Sequence, residues 1–270
     1  MYAFDYCRPR ALADALEIKK SDAHARWLAG GMTLLPALKL RLAEPSQLID
    51  LIDIAELKVI DVAVNEIELG SMTPHAVVAN SPAVRDRIPA LAALAGGIGD
   101  PQVRSRGTLG GSIANNDPAA DYPAALLGLG ATIKTSQREL TADEFFTGMF
   151  DTALREEELV VSVRFTSPKR AAYMKFRTPG SRYAIVGVMV AETPTGVRVA
   201  VTGAGPGVYR DQAMETALSE SFHPEALEEI TVSAATLNAD LHASPEYRAH
   251  LVKVLAARAV AAARGSKRNA

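Results

Sequence analysis

The pattern of hydrophobic and polar positions predicts a chain that mixes short helices with short strands. Near the N-terminus, an amphipathic helix at 10–20 is followed by strands at 24–28 and 47–50. An apolar helix is expected between those strands, and Pro45 ends it because proline cannot continue a helix. This order of elements predicts a small β–α–β unit.

The middle of the chain carries further helix and strand signals. Residues 66–70 alternate glutamate with isoleucine or leucine, as in a half-buried strand. Ser81 followed by Pro82 is typical of a helix start, and this helix is expected to extend to about Leu94. Another apolar helix is predicted over 118–129.

A polar break at 167–170 precedes a region with a different pattern. Alternating segments there predict an antiparallel meander of strands at 171–177, 184–192 and 197–202. Helices are predicted after the meander, at 209–219, 224–238 and 245–264. The tail from Gly265 is expected to be disordered. These patterns divide the chain into three parts, which are 1–54, 55–167 and 168–270.

Composition and charge narrow the classes of function. The chain has 270 residues, of which 48% are hydrophobic, so it can bury substantial cores. A net charge of −2 and a pI near 6.2 argue against a nucleic acid or a membrane surface as partner. The first residues lack the basic and apolar regions of a signal peptide, so the cytoplasm is the expected location.

Metal and nucleophile chemistry have little support in the sequence. Cys7 is the only cysteine, and an iron–sulfur cluster needs several thiolates. The histidines are scattered without metal-binding spacing, so no metal site is expected. The segment 203–207 lacks the dinucleotide fingerprint, and neither a P-loop nor a nucleophile elbow is present. No catalytic side chain is therefore predicted.

Two glycine-rich segments carry the strongest chemical signal. The first, at 29–36, is Ala-Gly-Gly-Met-Thr-Leu-Leu-Pro, and the second, at 104–121, contains Gly-Thr-Leu-Gly-Gly-Ser. Glycine lets a backbone approach a ligand, and amide and hydroxyl groups bind phosphate. One such loop alone is better explained as a glycine turn that caps the next helix. Two together could hold one diphosphate from both sides.

Both segments, together with the run Asn238–Arg248, resemble the medium, FAD-binding subunit of molybdenum hydroxylases. This family includes aerobic carbon monoxide dehydrogenases and xanthine dehydrogenase, and the resemblance covers nearly the whole chain. It implies an α+β chain with a FAD-binding fold of the vanillyl-alcohol-oxidase (PCMH) type. Two α/β subdomains would hold FAD between them, and a C-terminal α+β domain would contain a three-stranded antiparallel sheet with helices.

The resemblance also implies a set of residues that bind the cofactor. The backbone of both loops would wrap the diphosphate, with Asp121 on the adenosine side and Val160 near the adenine. Lys175 and the segment around Tyr183 would lie beside the isoalloxazine. The implied FAD-binding residues are Ala29, Gly30, Gly31, Met32, Thr33, Thr108, Gly110, Gly111, Ser112, Asp121, Val160, Lys175, Tyr183 and Ile185.

The chain departs from the family pattern in two places. Met32 stands where glutamine or histidine is usual, although Thr33 keeps the neighbouring hydroxyl. Arg182 stands where an acidic residue is common, so flavin tuning or access of the electron acceptor is expected to differ.

The function that the resemblance implies is electron transfer. FAD would take electrons from the [2Fe–2S] clusters of a small partner subunit, while a large partner subunit holds molybdopterin, with the heterotrimer expected to form a dimer. Membrane association is expected to be peripheral and to come only through the electron acceptor. The open alternatives are the flavin subunit of an aldehyde or N-heteroaromatic dehydrogenase, a stand-alone flavin oxidoreductase, and a nucleotide- or phosphate-sensing protein without redox activity.

Overall fold

The structure is a computed structural model and describes residues 1–265. Its first elements are β1 (Asp5–Cys7), α1 (Leu12–Ser21), β2 (Arg26–Leu28), α2 (Leu34–Lys39), β3 (Gln47–Asp50) and a 3-10 turn at Ala55–Lys58. The three strands form a parallel sheet in the order β1-β3-β2. The predicted β–α–β unit is therefore present, with β1 as an additional strand that the pattern did not indicate.

The second sheet has five antiparallel strands, and helices pack against it. The strands are β4 (Ile60–Val62), β5 (Glu66–Gly70), β6 (Thr132–Thr135), β7 (Glu139–Thr141) and, later in the chain, β10 (Val160–Thr166). Their order is β4-β5-β10-β6-β7. A separate hairpin consists of β8 (Phe146–Gly148) and β9 (Asp151–Thr152).

Most of the helices of this middle part lie between β5 and β6. They are α3 (His75–Asn80), α4 (Pro82–Arg87), α5 (Pro89–Gly96), α6 (Pro101–Arg106), α7 (Leu109–Asn115) and α8 (Tyr122–Leu129), and α9 (Ala142–Phe145) follows β7. Every residue of α8 is buried, which matches its uniform apolar sequence. This helix is the centre of the largest hydrophobic core.

Two helix predictions in this part are wrong. The helix expected from Pro82 to Leu94 is interrupted, because Pro89 disfavours helical backbone at Ile88, which has φ −140° and ψ 73°. The second glycine segment is not an open loop, and the helix expected over 118–129 begins only at Tyr122. Thr108 caps α7, which passes through both glycines, and Asn116 ends it in the left-handed conformation.

The C-terminal part has a four-stranded antiparallel sheet, so the prediction of a three-stranded sheet is wrong. Its strands are β11 (Arg170–Arg177), β12 (Ala184–Thr193), β13 (Gly196–Thr202) and β14 (Tyr209–Arg210), in that order. The strand β14 is only two residues long, too short to give an alternating pattern. The segment 178–183 joins β11 to β12 and is called the β11–β12 loop below.

The helices of this part are α10 (Gln212–Glu220) and α11 (Pro245–Gly265), with a 3-10 turn at Pro224–Leu227 between them. A helix over 224–238 was expected, but only that first turn forms. The β-branched pair Thr231 and Val232 lowers helix propensity there. The predicted disordered tail beyond Gly265 lies outside the described residues.

Strand β12 connects the C-terminal part to the rest of the molecule because both of its faces are buried. Val186, Val188 and Val190 pack in a core with α10 and α11. Met189 and Ala191, which point to the opposite face, belong to the core around α8. The β11–β12 loop is thereby held beside the middle part of the chain.

Candidate functional site

A cavity of about 840 Å³ lies between the two glycine segments. This volume is near the upper end of the ~300–1,000 Å³ of ligand pockets. Its wall includes most of the residues predicted from the sequence, which are Ala29, Gly30, Gly31, Met32, Thr33, Thr108, Gly110, Gly111, Ser112, Asp121, Val160 and Tyr183. Each of the three sheets or its connecting loops contributes to this wall.

The first glycine segment presents unpartnered backbone amides to the cavity. Within the described chain, the N–H groups from Gly30 to Leu34 have no hydrogen-bond acceptor. The hydroxyl of Thr33 makes no capping bond either, although this residue is the N-cap of α2. Because unpartnered amides cost free energy unless water or a ligand pairs with them, this segment is suited to bind an anion.

The second glycine segment differs, because its amides from Leu109 to Ser112 already donate to protein oxygen atoms. Leu109 N–H donates to Thr73 O (3.0 Å) and Gly110 N–H to Ser71 O (2.8 Å). The amides of Gly111 and Ser112 donate to Oγ1 and O of Thr108, at 3.1 and 3.0 Å. The expectation that both segments supply backbone donors therefore fails for the amides from Leu109 to Ser112, whereas the amide of Thr108 has no acceptor among the described residues. The segment also offers the Ser112 hydroxyl, which has no partner among the described residues.

The two segments touch through their backbones. A Cβ atom on Gly30 would lie 2.1 Å from Arg106 O, and a Cβ atom on Gly110 would lie 2.5 Å from Ser71 Cβ. These glycines are therefore required for protein-to-protein packing. The sequence suggested instead that they make room for a ligand.

Asp121 forms the centre of a buried polar network at the cavity wall. Its carboxylate accepts from Lys175 Nζ at 2.8 Å and from the Tyr173 hydroxyl at 2.5 Å. Burial raises the pKa of Asp121, and Lys175 and Tyr173 oppose that change. The resemblance placed Asp121 at the adenosine side and Lys175 at the isoalloxazine. Because the two side chains are in direct contact, these placements are incompatible.

Two predicted residues do not form part of the cavity wall. Lys175 lies behind Asp121 and donates also to Gly97 O at 3.2 Å. Ile185 is buried in the C-terminal core, and its carbonyl accepts from the buried Arg248 at 2.6 Å. Both residues support the wall and do not face the cavity.

Another part of the wall, next to Val160, is held by Glu158. This buried carboxylate accepts two hydrogen bonds from Arg138, at 3.0 and 3.1 Å, and one from Thr135 at 2.6 Å. Burial acts to raise its pKa, but these hydrogen bonds outweigh burial and lower the pKa of Glu158 to about 2. Glu158 therefore stays ionised and fixes the chain that leads into β10.

Several wall residues were not predicted, among them Trp27, His75, Ile98, Asp117 and Ser181. Trp27 and Ser181 stand within two positions of predicted residues, so proximity in sequence could have indicated them. His75 has no local signal, since it reaches the site through the bridge between Pro74 and Thr108. Burial, and to a lesser extent Arg104, lowers the pKa of His75 to about 4.

Comparison with known proteins identifies the class. Residues 2–168 match the model of the FAD-binding domain in molybdopterin dehydrogenases, and residues 171–263 match the carbon monoxide dehydrogenase flavoprotein C-terminal domain. The chain belongs to this family. It is a FAD-binding medium subunit of the molybdenum hydroxylases and, as such, an oxidoreductase flavoprotein subunit.

Similar proteins span several activities. The nicotine 6-hydroxylase medium subunit of Paenarthrobacter nicotinovorans is 33% identical, and 96% of each chain is covered. The carbon monoxide dehydrogenase medium chain of Hydrogenophaga pseudoflava is 32% identical, again over 96% of each chain. A solved carbon monoxide dehydrogenase from that organism has a TM-score of 0.88 over 98% of each chain, at 32% identity. Quinoline 2-oxidoreductase from Pseudomonas putida 86 has a TM-score of 0.89 over 99% of each chain, at 28% identity.

The residues of the cavity fit the cofactor of this family. The free amides of Gly30 to Leu34 and the hydroxyls of Thr33 and Ser112 form a neutral donor set that matches a diphosphate. Among residues 1–265, no group of His, Cys, Asp or Glu side chains is arranged to hold a metal ion. In the same residues, no helix has the length and apolar character needed to cross a membrane.

Proposed function

We propose that this chain passes electrons from the [2Fe–2S] clusters of a small partner subunit, through FAD, to an external acceptor. The observation that carries the proposal is the row of unpartnered amides from Gly30 to Leu34 at the cavity wall. Amides in such a row bind the oxygen atoms of a diphosphate without a counter-charge. FAD, when bound, supplies the exchange between one-electron and two-electron transfer.

The orientation of the cofactor follows from the wall. We place the flavin ring at the part formed by Asp121, Ile98 and Tyr183, and the adenine near Val160. The ion pair between Asp121 and Lys175 supports this choice. It shows that Asp121 lies next to Lys175, which the resemblance places beside the isoalloxazine. Burial, with Asp117 and Asp121, raises the pKa of Tyr183, so this phenol stays protonated and able to donate.

The partners in this proposal are a large molybdopterin subunit and a small iron–sulfur subunit. The heterotrimer would form a dimer in the cytoplasm, and any membrane contact would come through the acceptor. The division of this chain at residues 54 and 167 is part of the proposal. The sheets support it, since no sheet of the described chain has strands in more than one of the three parts.

A second candidate is the flavin subunit of a dehydrogenase for N-heteroaromatic compounds. The chain is 33% identical in sequence to the nicotine 6-hydroxylase medium subunit and 32% identical to the carbon monoxide dehydrogenase medium chain. The two identities differ by one percentage point, so neither relative is favoured. Substrate is oxidised in the large subunit in this proposal, so the flavin chain carries no contact that would select between carbon monoxide and a heterocycle.

The test is purification of the tagged chain from its native cells, followed by analysis of flavin, iron and molybdenum. We expect FAD to remain bound after desalting. One larger and one smaller chain should co-purify with this chain, and the complex should contain iron and molybdenum. Addition of carbon monoxide or an N-heterocycle should then bleach the flavin absorption. A chain that keeps no flavin would contradict the proposal, and a flavoprotein without iron would support a stand-alone oxidoreductase.

A further inference from the structure

The loop Gly97–Gly99, between α5 and α6, forms part of the cavity wall, and its own backbone amides bond only to α5, through Gly97 and Ile98. Ile98 and Gly99 line the cavity. Gly99 adopts φ +49°, and two of the three residues are glycines, which have the largest backbone freedom to lose. The Gly99 end of the loop, whose amide has no acceptor among the described residues, therefore depends on contacts from other elements.

Three cationic side chains donate to the carbonyl groups of this loop. Arg104 Nη1 donates to Ile98 O and Gly99 O, both at 2.9 Å, from the adjacent helix α6. The other bonds come from the C-terminal part. Lys175 Nζ donates to Gly97 O at 3.2 Å, and Arg182 Nη1 donates to Gly99 O at 3.3 Å. Two domains thus hold one short loop.

Arg182 has a backbone conformation that is rare for its residue type. Its φ is 62°, in the left-handed region, although it is not glycine. Its amide donates to Thr178 O, and the amide of Thr178 donates to Tyr183 O, each at 2.9 Å, which closes the β11–β12 loop. Strain of this kind persists where surrounding contacts impose it.

We propose that Arg182 is a positioning residue that fastens the β11–β12 loop to the Gly97–Gly99 loop. The bond keeps Tyr183 and Ile98, which lie on these two loops, at a fixed separation across the flavin end of the cavity. It also keeps a positive charge behind Gly99. Arg182 acts through these neighbours and does not touch the cofactor. The inference rests on the proposed binding of FAD in this cavity.

A matched control residue lies close by. Arg177 ends β11, is exposed, and makes no side-chain hydrogen bond or ion pair within the described part of the chain. Its substitution removes the same charge from the same hairpin without removing a bond to the loop. A general effect of surface charge would therefore be equal for Arg177 and Arg182, whereas a positioning effect belongs to Arg182 alone.

The experiment compares the FAD-loaded full chain with Arg182→Asn, Arg182→Gly, Arg182→Lys and Arg177→Asn. Asparagine and glycine tolerate the left-handed backbone, so both variants keep the fold while removing the guanidinium. We expect each to release FAD about tenfold faster, as for loss of a charge-assisted hydrogen bond. Their flavin midpoint potential should fall, because a cation that favours the added negative charge is gone.

Arg182→Lys keeps a cationic donor and should recover most of the slow release and the potential. Arg177→Asn should match the wild type in both measurements. Equal release rates and potentials for Arg182→Asn, Arg182→Gly and Arg177→Asn would overturn the inference while leaving FAD binding intact. A wild-type chain that binds no FAD would instead overturn the proposed function, and the inference with it.

Discussion

The two glycine segments are alike in sequence but differ in their hydrogen bonding. In the first, the amides from Gly30 to Leu34 have no acceptor in the described chain. In the second, the amides from Leu109 to Ser112 all donate to protein oxygen atoms. Glycine in a motif thus indicates that another group comes close to the backbone. Only the hydrogen-bond partners of the amides show whether that group is a ligand or another part of the protein.

The difference gives the segments different roles at one cavity. The first segment is the anion-binding part, held open for a ligand. The second is a frame: Thr108 caps α7, and Gly110 packs on Ser71, which directly follows β5. Changes in the frame should therefore lower the stability of the FAD-free chain, and changes in the first segment should lower FAD affinity. Gly30, where the segments touch, should affect both.

The largest effect is expected for Gly30→Ala. The added Cβ atom would lie 2.1 Å from Arg106 O and 2.7 Å from Arg106 C, which are backbone atoms that cannot rotate away. We expect a loss of about 3 kcal/mol in the free energy of unfolding, at the upper end for overpacking. Urea denaturation of the FAD-free chain, followed by the fluorescence of Trp27, measures it.

Gly180→Ala is the control for this change, because a Cβ atom there meets nothing within 4 Å. Its free energy of unfolding should stay within ~0.5 kcal/mol of the wild type. If Gly30→Ala were equally mild, the direct contact between the two segments would be refuted.

Protonation of His75, whose ring supports the second segment, is expected to lower the free energy of unfolding by about 2 kcal/mol in acid. A Cβ atom on Gly107 would lie 2.5 Å from His75 Nε2, so the ring packs directly on the frame. Burial and Arg104 lower the pKa of His75 from 6.5 to about 4. The neutral ring stabilises the fold above pH 6.5, and this contribution decreases as the pH falls from 6.5 towards 4.

The measurement is the free energy of unfolding between pH 7 and pH 5 in the wild type and in His75→Gln, because the acidic side chains, Asp121 included, are common to both proteins. The decrease in the wild type should be about 2 kcal/mol larger than in His75→Gln. If the free energy of unfolding decreased equally with pH in both proteins, the His75 ring would not take up a proton on unfolding, and this prediction would be wrong.

Much of the fold was predictable because it depends on local signals. The strands β3 and β5 have the predicted bounds, and Thr141 caps α9 with Glu144 as a capping box. The break of the helix at Pro89 has a local cause, but tertiary contacts contribute to the other errors. The strand β14 exists only as a partner for β13, and the helix expected at 224–238 gives way to loop, with Asn238 bonded to Ala204 O and Gly205 O.

The site was predictable in position but not in chemistry. The glycine motifs located the cavity wall from residues 29 to 33 and from 108 to 112. No pattern could show that the carbonyl groups of Ser71 and Thr73, which precede Gly110 and Leu109 by 39 and 36 positions, accept hydrogen bonds from those amides. Nor could it show that Lys175 pairs with Asp121 across 54 positions and thereby unites two groups assigned to opposite ends of FAD.

The smallest effects separate the two segments most cleanly, through Thr108→Val and Thr33→Val. Thr108 Oγ1 accepts from Gly111 N–H, so its loss should cost the FAD-free chain ~1 kcal/mol as a missing N-cap. The Thr33 hydroxyl makes no capping bond, so Thr33→Val should leave that stability within ~0.5 kcal/mol. Thr33→Val should instead weaken FAD binding about fivefold, since one neutral hydrogen bond contributes ~1 kcal/mol.

Denaturation of the FAD-free chain and fluorescence titration with FAD distinguish the two results. The reverse outcome, in which Thr33→Val destabilises the FAD-free chain and Thr108→Val does not, would exchange the roles of ligand-binding segment and frame.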